Sequence, residues 1–167
     1  MELWDVLDEY GNKTGKTIER GQPLTQGEYF LIVDVWIVNG NGEILISKRT
    51  STANPDPDKW QPTCGCAVMG DDSITTALRE TKEELGIALD PQNGKLFKRL
   101  KFSWNAIVDV WLFYQNVDIN TIVFQPDETV DAEWASGDKV RHLLAEGDFI
   151  NNVRMPYIDE LMGACGI

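Results

Sequence analysis

Three glutamates lie close together near the middle of the chain, at positions 80, 83 and 84 of the segment ALRETKEELGI (77 to 87). Their offsets of three and four residues make them neighbours on the surface of an α-helix, where like charges repel one another. Glutamate is a good helix former, so a simply solvated acidic face is one interpretation. The other is that Glu80, Glu83 and Glu84 bind a hard divalent cation, since Mg²⁺ takes oxygen ligands and is often held by carboxylates together with substrate phosphates.

The element that must position these glutamates is a helix over residues 73 to 85. Asp72 and Ser73 are typical of a helix start, and Gly86 is typical of a helix end. With about 100° of rotation per residue, the three glutamates cover roughly one third of the circumference, displaced from the apolar face. That face is expected to consist of Ile74, Ala77, Leu78, Thr81 and Leu85.

Composition restricts the partners of the chain. Its 167 residues fit one domain, and the formal net charge is -12. A field of this sign repels nucleic-acid polymers and anionic membrane surfaces, so a bound anion needs a mediating cation or a local basic patch. The N-terminus shows no signal peptide, and the longest apolar run, YFLIVDVWIV, is too short to span a bilayer.

Three cysteines, Cys64, Cys66 and Cys165, cannot all pair with one another, and the first two are too close for an unstrained disulfide. This usage is typical of a reducing cytoplasm, which is the expected location. Together with His142 they could form a zinc site, but no second Cys/His pair stands at finger-like spacing. Burial as small strand residues is the favoured reading for Cys64 and Cys66.

Strands dominate the rest of the chain, with helices expected over 137 to 146 and 155 to 164. An N-terminal hairpin is expected from 3 to 8 and 16 to 19, followed by a loop over 20 to 27. The sequence NGNG joins two further strands as a hairpin turn. The remaining strands are expected over 30 to 38, 43 to 49, 63 to 69, 96 to 104, 107 to 116 and 131 to 136, with a short one as an option over 121 to 124.

The longer pattern around the glutamates, GCAVMGDDSITTALRETKEELGI (65 to 87), closely resembles the Nudix box. This box is the signature of hydrolases that act on a nucleoside diphosphate linked to another moiety. Gly65, Arg79, the three glutamates, Gly86 and Ile87 match it by type and spacing. Two positions depart from it, because Asp71 replaces the usual first glutamate and Thr81 replaces an apolar residue. Neither departure removes a metal ligand.

The resemblance implies a fold and a chemistry. The fold would be a Nudix-type α/β/α sandwich, of the α+β or α/β class, with a mixed central sheet and an N-terminal β-hairpin. One Nudix domain would span 1–167, with 1–27 as a hairpin extension. Glu80, Glu83 and Glu84 would bind Mg²⁺ or Mn²⁺, Arg79 would hold the glutamates in place, and a water would attack phosphorus. Glu80 could orient or deprotonate that water.

In some family members the base comes from a later loop, which here would be the acidic PDETVDAEW. Glu128 is the first candidate and Glu133 the second, although a solvated loop acid is the alternative for Glu128. Asp109, midway along a strand, could face the metal site or solvent.

Four residues are candidates for substrate binding. Lys48 and Arg49 end a strand next to the box and could contact phosphate, or could form an ordinary exposed strand end. Trp60 and Trp104 could stack on a base or cover the site, although tryptophan more often belongs to the core. Specificity in this family lies outside the box, so the small-molecule phosphate substrate is not identified by the sequence.

The segments LWDVLDEYGNKTG and VDVWIVN resemble a subgroup related to isopentenyl diphosphate isomerase. That enzyme requires a cysteine and metal-binding histidines. Aligned on Trp60 and the box, its cysteine falls at Gly65 and its histidines at Phe30 and Ala67, which disfavours isomerisation. A catalytically silent nucleotide-binding protein is a further alternative. The N-terminal hairpin could pair across a homodimer.

Overall fold

The computed structural model describes residues 1–150 and 155–167, which form nine β-strands and three α-helices. The strands are β1 (Leu3–Leu7), β2 (Lys13–Glu19), β3 (Phe30–Val38), β4 (Ile44–Arg49), β5 (Trp60–Gln61), β6 (Thr63–Cys66), β7 (Gly94–Phe102), β8 (Ala106–Tyr114) and β9 (Thr129–Ala135). The helices are α1 (Ser73–Leu85), α2 (Gly137–Glu146) and α3 (Ile158–Cys165), and two single 3-10 turns cover Pro91–Asn93 and Ile119–Thr121.

Strand β3 is the centre of a seven-stranded mixed sheet. It runs parallel to β8 and antiparallel to both β4 and β6, and the main path of the sheet is β5-β4-β3-β8-β7. Eight of its nine residues are buried, as expected for a strand covered on both faces. Strands β1 and β2 form a separate antiparallel hairpin.

The alternation of side chains along β3 divides the core into two layers. Val33 and Val35 pack with Ala77 and Leu85 of α1, on what we call the α1 face of the sheet. Ile32 and its same-face neighbours pack with residues of α2 and α3, on the α2/α3 face. The expected α/β/α sandwich with an N-terminal hairpin is therefore confirmed.

The sheet opens between β4 and β6. Strand β4 is in register with β3 at Val38 and Ile44, and it then turns away to pair with β5 and β9. Strand β6 takes the vacated side of β3, with Gly65 opposite Val33. Helix α1 packs on β6 and β3 on the α1 face, which brings Glu80 against Gly65 of β6.

Most predicted elements form, including α1 with the bounds that were expected. The optional strand over 121 to 124 does not form, because the main chain there bonds to the end of α1: the Val123 N–H donates to the Leu85 carbonyl at 3.0 Å. The segment between β4 and β6 contains the two-residue strand β5, which was not expected, and the last helix begins at Ile158 rather than at residue 155.

Candidate active site

Local sequence signals fix both ends of α1. The Asp72 carboxylate caps the helix by accepting a hydrogen bond from the Thr75 N–H at 2.8 Å. At the other end Gly86 adopts φ 70°, a left-handed conformation that favours glycine, and its N–H donates to the Lys82 carbonyl. The helix thus holds its glutamates at a fixed height above the strands.

Glu80 packs directly on the glycine of β6. A Cβ atom placed on Gly65 would lie 2.0 Å from Cδ of Glu80 and 2.3 Å from its Oε1. Any side chain at position 65 would therefore displace the Glu80 carboxylate. The absence of a side chain at Gly65 lets the helix carboxylate lie against the strand.

Arg79 connects the loop, the helix and the strand. Its guanidinium donates to Asp71 at 2.8 Å, to Glu80 at 2.9 Å, to Glu83 at 3.0 Å and to the carbonyl of Cys66 at 3.0 Å. Burial by itself would lower the pKa of Arg79, but its carboxylate partners raise it. Asp71, one methylene shorter than the usual glutamate, still reaches this arginine. The predicted contact of Arg79 with the box glutamates is present.

Glu84 is more deeply buried than the helix wheel predicts, with 3% of its surface exposed. Its Oε2 and the buried hydroxyl of Ser47 have no hydrogen-bond partner, whereas the Thr63 hydroxyl lies close enough to Glu84 to lower the pKa of that carboxyl. Burial raises the pKa of Glu84 well above its usual value, and the charges of Glu80 and Glu128 raise it further. Burial likewise raises the pKa of Glu80 to about 7.

The loop before β9 is attached to the end of α1 through the main chain. The Gln125 N–H donates to the Glu84 carbonyl at 3.0 Å, and the Thr50 N–H donates to the Glu128 carbonyl at 3.1 Å. These bonds bring the exposed Glu128 close enough for its charge to act on both Glu80 and Glu84. The sequence identified Glu128 by analogy, whereas the structure supplies the contacts that position it.

Three carboxylates near α1 have the chemistry that a divalent cation needs. Glu80, Glu84 and Glu128 offer oxygen ligands, repel one another, and include one buried oxygen without a partner, all of which suit Mg²⁺ or Mn²⁺. Within residues 1–150 and 155–167, however, no group of three or more Asp, Glu, His or Cys side chains is arranged to hold an ion. Glu83 is about half exposed, at 49% of its side chain, and shares one terminal nitrogen of Arg79 with Glu80. The residues fit in kind, with substrate phosphate and water as the remaining ligands.

Arg49 lies on the same side as Glu84 but is already engaged. Its Nε donates to the carbonyl of Asp56, one terminal nitrogen donates to the carbonyl of Pro55, and the other donates to the side chain of Gln61. The structure therefore uses all three nitrogens of this predicted phosphate ligand to hold the loop that follows β4. Sequence inspection could not reveal this, because two of the three acceptors are main-chain carbonyls.

Three other candidates lie on the opposite face. Lys48 lies 6.0 Å from the ring centroid of Trp60, which packs against the α2/α3 cluster. Glu133 faces the same side, opposite Ile46, and forms an ion pair with Lys139 of α2. The structure therefore separates these three residues from the α1 glutamates.

Trp104 is also remote from the glutamates in the fold. It lies in the turn between β7 and β8, 46% exposed, and contacts the rings of Phe30 and Phe102. Both phenylalanines pack on the α2/α3 cluster. Asp109, in contrast, is fully buried on the α1 face and receives two hydrogen bonds from Arg99, at 2.6 and 2.7 Å.

Comparison with known proteins decides the family. The model of the NUDIX domain matches residues 28–153, which is more than half of the chain. The chain belongs to the Nudix family. Its full length also aligns with an uncharacterized Nudix hydrolase of Listeria innocua, at 34% identity over 100% of this chain and 99% of the relative. Enzymes of this family act on phosphoric anhydride bonds.

Two further comparisons concern the subgroup and the fold. An isopentenyl-diphosphate Delta-isomerase of Citrobacter koseri is 23% identical to this Nudix chain, over 84% of the chain and 80% of the relative. The crystal structure of a protein from Deinococcus radiodurans superposes with a TM-score of 0.75 at 18% identity, covering 98% of this chain and 99% of that one. The first supports the predicted subgroup resemblance, and the second supports the fold over the whole length, including the N-terminal hairpin.

Proposed function

We propose that this Nudix protein is a Mg²⁺- or Mn²⁺-dependent pyrophosphohydrolase. Its substrate would be a nucleoside diphosphate linked to another moiety, or a related organic diphosphate. The observation that carries the proposal is the buried Glu84 carboxylate, whose Oε2 lacks a partner while Glu80 and Glu128 lie close to it. An uncompensated buried carboxylate is costly, and a bound cation would remove that cost.

Each residue has a role in this proposal. Glu80 and Glu84 would hold the metal from the helix, with Glu83 as the third proposed ligand, and Arg79 would fix Glu80 and Glu83. The metal, when bound, supplies charge that polarises the phosphate. A water oxygen then bonds to phosphorus as the bridging P–O bond breaks. Glu128, or Glu80, would accept the water proton, and the leaving phosphate keeps the electron pair of the broken bond.

Isomerisation is the rival activity, since isopentenyl-diphosphate isomerases are among the similar proteins. The contact between Glu80 and Gly65 argues against it. A cysteine at position 65, where the isomerase alignment requires one, would displace the Glu80 carboxylate. Phe30 and Ala67 occupy the aligned histidine positions and offer no metal ligand.

The decisive experiment is a substrate panel assayed with Mg²⁺, with Mn²⁺ and with chelator. It should contain nucleoside di- and triphosphates, nucleotide sugars, dinucleotides and isoprenoid diphosphates, with product release as the readout. The proposal requires metal-dependent cleavage of at least one compound, and loss of that cleavage in Glu84→Gln. The matched control is Glu146→Gln, which changes an exposed glutamate of α2 and should keep the parent rate. Metal-independent cleavage, or no cleavage at all, would refute the proposal.

The proposal extends to the setting of the enzyme. A reducing cytoplasm is the proposed location, because the three cysteines cannot all pair with one another. Within the described residues, no helix has the length and apolarity needed to cross a membrane. The net charge of -12 supports a small-molecule substrate rather than a nucleic-acid polymer. A homodimer through the N-terminal hairpin is part of the same proposal, and light scattering would test it.

A further inference from the structure

A cavity of about 280 Å³ lies on the α1 face, between the N-terminal hairpin, the first turn of α1 and strands β7 and β8. Its volume is close to the lower end of the range for small-molecule sites. Five of its lining residues are apolar or largely so: Leu7, Leu31, Ala67, Ile74 and Trp111. The hairpin thus closes a space that the sheet and the helix alone would leave open.

The cavity begins close to the glutamates. Ala67, in its wall, is two residues from Gly65, a distance of about 7 Å along an extended chain. The Glu80 carboxylate lies directly on Gly65. Asp71, another wall residue, accepts a hydrogen bond from Arg79, which also holds Glu80. The cavity wall is therefore connected to Glu80 through β6 and through Arg79, whose guanidinium lies between Glu80 and Asp71.

The charged side chains in the wall already have partners, which leaves little charge to attract a phosphate. The contacts are Asp5 with Lys13 at 2.8 Å, Arg99 with Asp109 at 2.6 Å, Asp71 with Arg79 at 2.8 Å, and Asp72 with the Thr75 N–H at 2.8 Å. A wall whose charged side chains are already engaged by other groups, and whose remaining surface is apolar, suits an uncharged group.

We propose that this cavity binds the uncharged organic group that is joined to the diphosphate of the substrate. The inference rests on the proposed function and assigns the specificity of the same site. A nucleoside and an alkyl chain share the required chemistry, and the experiment below distinguishes them. The aromatic hollow of about 390 Å³ beside Phe30 and Trp104 does not compete for this role, because the sheet separates it from Glu80.

Binding can be tested without turnover, through the indole N–H of Trp111, which donates to the Ser73 hydroxyl at 2.8 Å in the cavity wall. The probes are adenosine, cytidine and 3-methylbutanol, titrated into ¹⁵N-labelled protein, with Trp111→Phe used to assign the signal. At least one probe should shift the Trp111 signal and leave that of Trp104 in place. A Trp111 shift with adenosine or cytidine identifies a nucleoside as the occupant, and a shift with 3-methylbutanol identifies an alkyl chain.

Filling the cavity provides the matched test. Ala67→Leu should abolish the probe-induced shift and, with the best substrate of the panel, raise KM at least about tenfold while kcat changes less. Ala145→Leu adds the same atoms at an exposed position of α2 and should behave as the parent. If Ala67→Leu fails to fold, Ile74→Trp at the rim is the second variant, with the same expected effects.

The outcomes separate this inference from the proposed function. Hydrolysis with an unaltered KM in the folded cavity variants, or probes that shift Trp104 and not Trp111, would overturn the cavity assignment and leave the hydrolase standing. Probe binding lost in Ala67→Leu, in a protein that cleaves no diphosphate, would overturn the hydrolase and also the assignment of this cavity to its substrate. Probe binding with the predicted KM effect supports both.

Discussion

Two carboxylates, Asp109 and Glu84, are buried on the same face of the sheet, and they differ in whether a protein group pairs with them. Asp109 is fully buried and receives two hydrogen bonds from Arg99. Glu84 is 3% exposed and keeps one oxygen without a hydrogen-bond partner. Because a buried charge is costly unless it is compensated, Asp109 is compensated by the chain itself, whereas the proposed metal ion would compensate Glu84.

On the α2/α3 face, a third buried carboxylate also has a protein partner. Asp34 is fully buried there and accepts a hydrogen bond from the hydroxyl of Tyr157 at 2.8 Å, and this hydroxyl in turn accepts one from the indole of Trp36 at 3.0 Å. The network fastens the residue before α3 to the central strand. Buried acids therefore have protein partners on both faces of the sheet, whereas one oxygen of Glu84 has none.

The largest effect is expected at Glu84. Glu84→Gln keeps the size of the side chain and removes the charge that a hard cation needs, so turnover should fall about a thousandfold, or about 4 kcal/mol in barrier. In chelator the variant should melt at the same or a higher temperature than the parent, because the buried charge is gone. Turnover equal to that of the parent would contradict the role, and unfolding would show that Glu84 is structural like Asp109.

Arg99→Met should act on the stability of the fold, in contrast to Glu84→Gln, which should act on turnover. It leaves Asp109 buried without its partner, and we expect a loss of about 3 kcal/mol in the free energy of unfolding, at the low end for a buried pair because Arg99 is partly exposed. Denaturant titration measures it, and chelator should not change the loss. The matched control on the same strand is Lys98→Met, which breaks an exposed ion pair with Glu160 and should cost at most about 1 kcal/mol. Equal losses in the two variants would remove the distinction.

Arg79→Lys tests the guanidinium that holds the glutamates. A lysine ammonium keeps the charge but cannot reach four acceptors in a fixed geometry, so kcat/KM should fall about thirtyfold, or about 2 kcal/mol. The metal concentration for half-maximal activity should rise as well, because Glu80 and Glu83 lose their fixed positions. Arg141→Lys, which alters an exposed pair with Asp138, is the control. An unchanged metal requirement would argue against a positioning role.

The smallest effect is expected from the cysteines. Cys64→Ser combined with Cys66→Ser should keep metal-dependent hydrolysis within about tenfold of the parent, or about 1.4 kcal/mol, because the mechanism uses carboxylates, metal and water. A catalytic thiolate would instead cost several orders of magnitude when replaced. Isopentenyl diphosphate should be assayed in parallel. An isomerised product that the parent makes and the double variant does not would favour the isomerase over the hydrolase.

The sequence predicted the elements whose signals are local. Asp72 and Gly86 set the bounds of helix α1, β-branched and aromatic residues were enough to locate β3, and a hairpin turn with alternation was enough to locate β4. The segment 121 to 124 was misleading, because its apolar residues pack against α1 while its main chain bonds to the helix end. Alternating hydrophobicity indicates burial on one side, and a strand also needs a ladder partner.

Site residues outside the helix were harder to predict, because faces depend on pairing between distant strands. Lys48 and Arg49 are adjacent in the sequence and lie on opposite sides of β4, so only one of them lies near Glu84. Ser47 and Thr63 were missed, although the alternation in TCGC places Thr63 on the same face as Gly65. The cavity beneath the hairpin is lined by several segments far apart in the chain and leaves no local signal.

The loop that carries Glu128 hangs from main-chain groups at the end of α1, through the Glu84 and Leu85 carbonyls. Main-chain bonds of this kind fix where a segment runs without prescribing its side chains. The exposed Val123 and Pro126 can therefore be replaced while the acid at the end of the loop keeps its place, whereas Phe124 packs on the α1 face. For protein design, the exposed positions of this loop can be varied, because the carbonyl groups that anchor its main chain belong to α1.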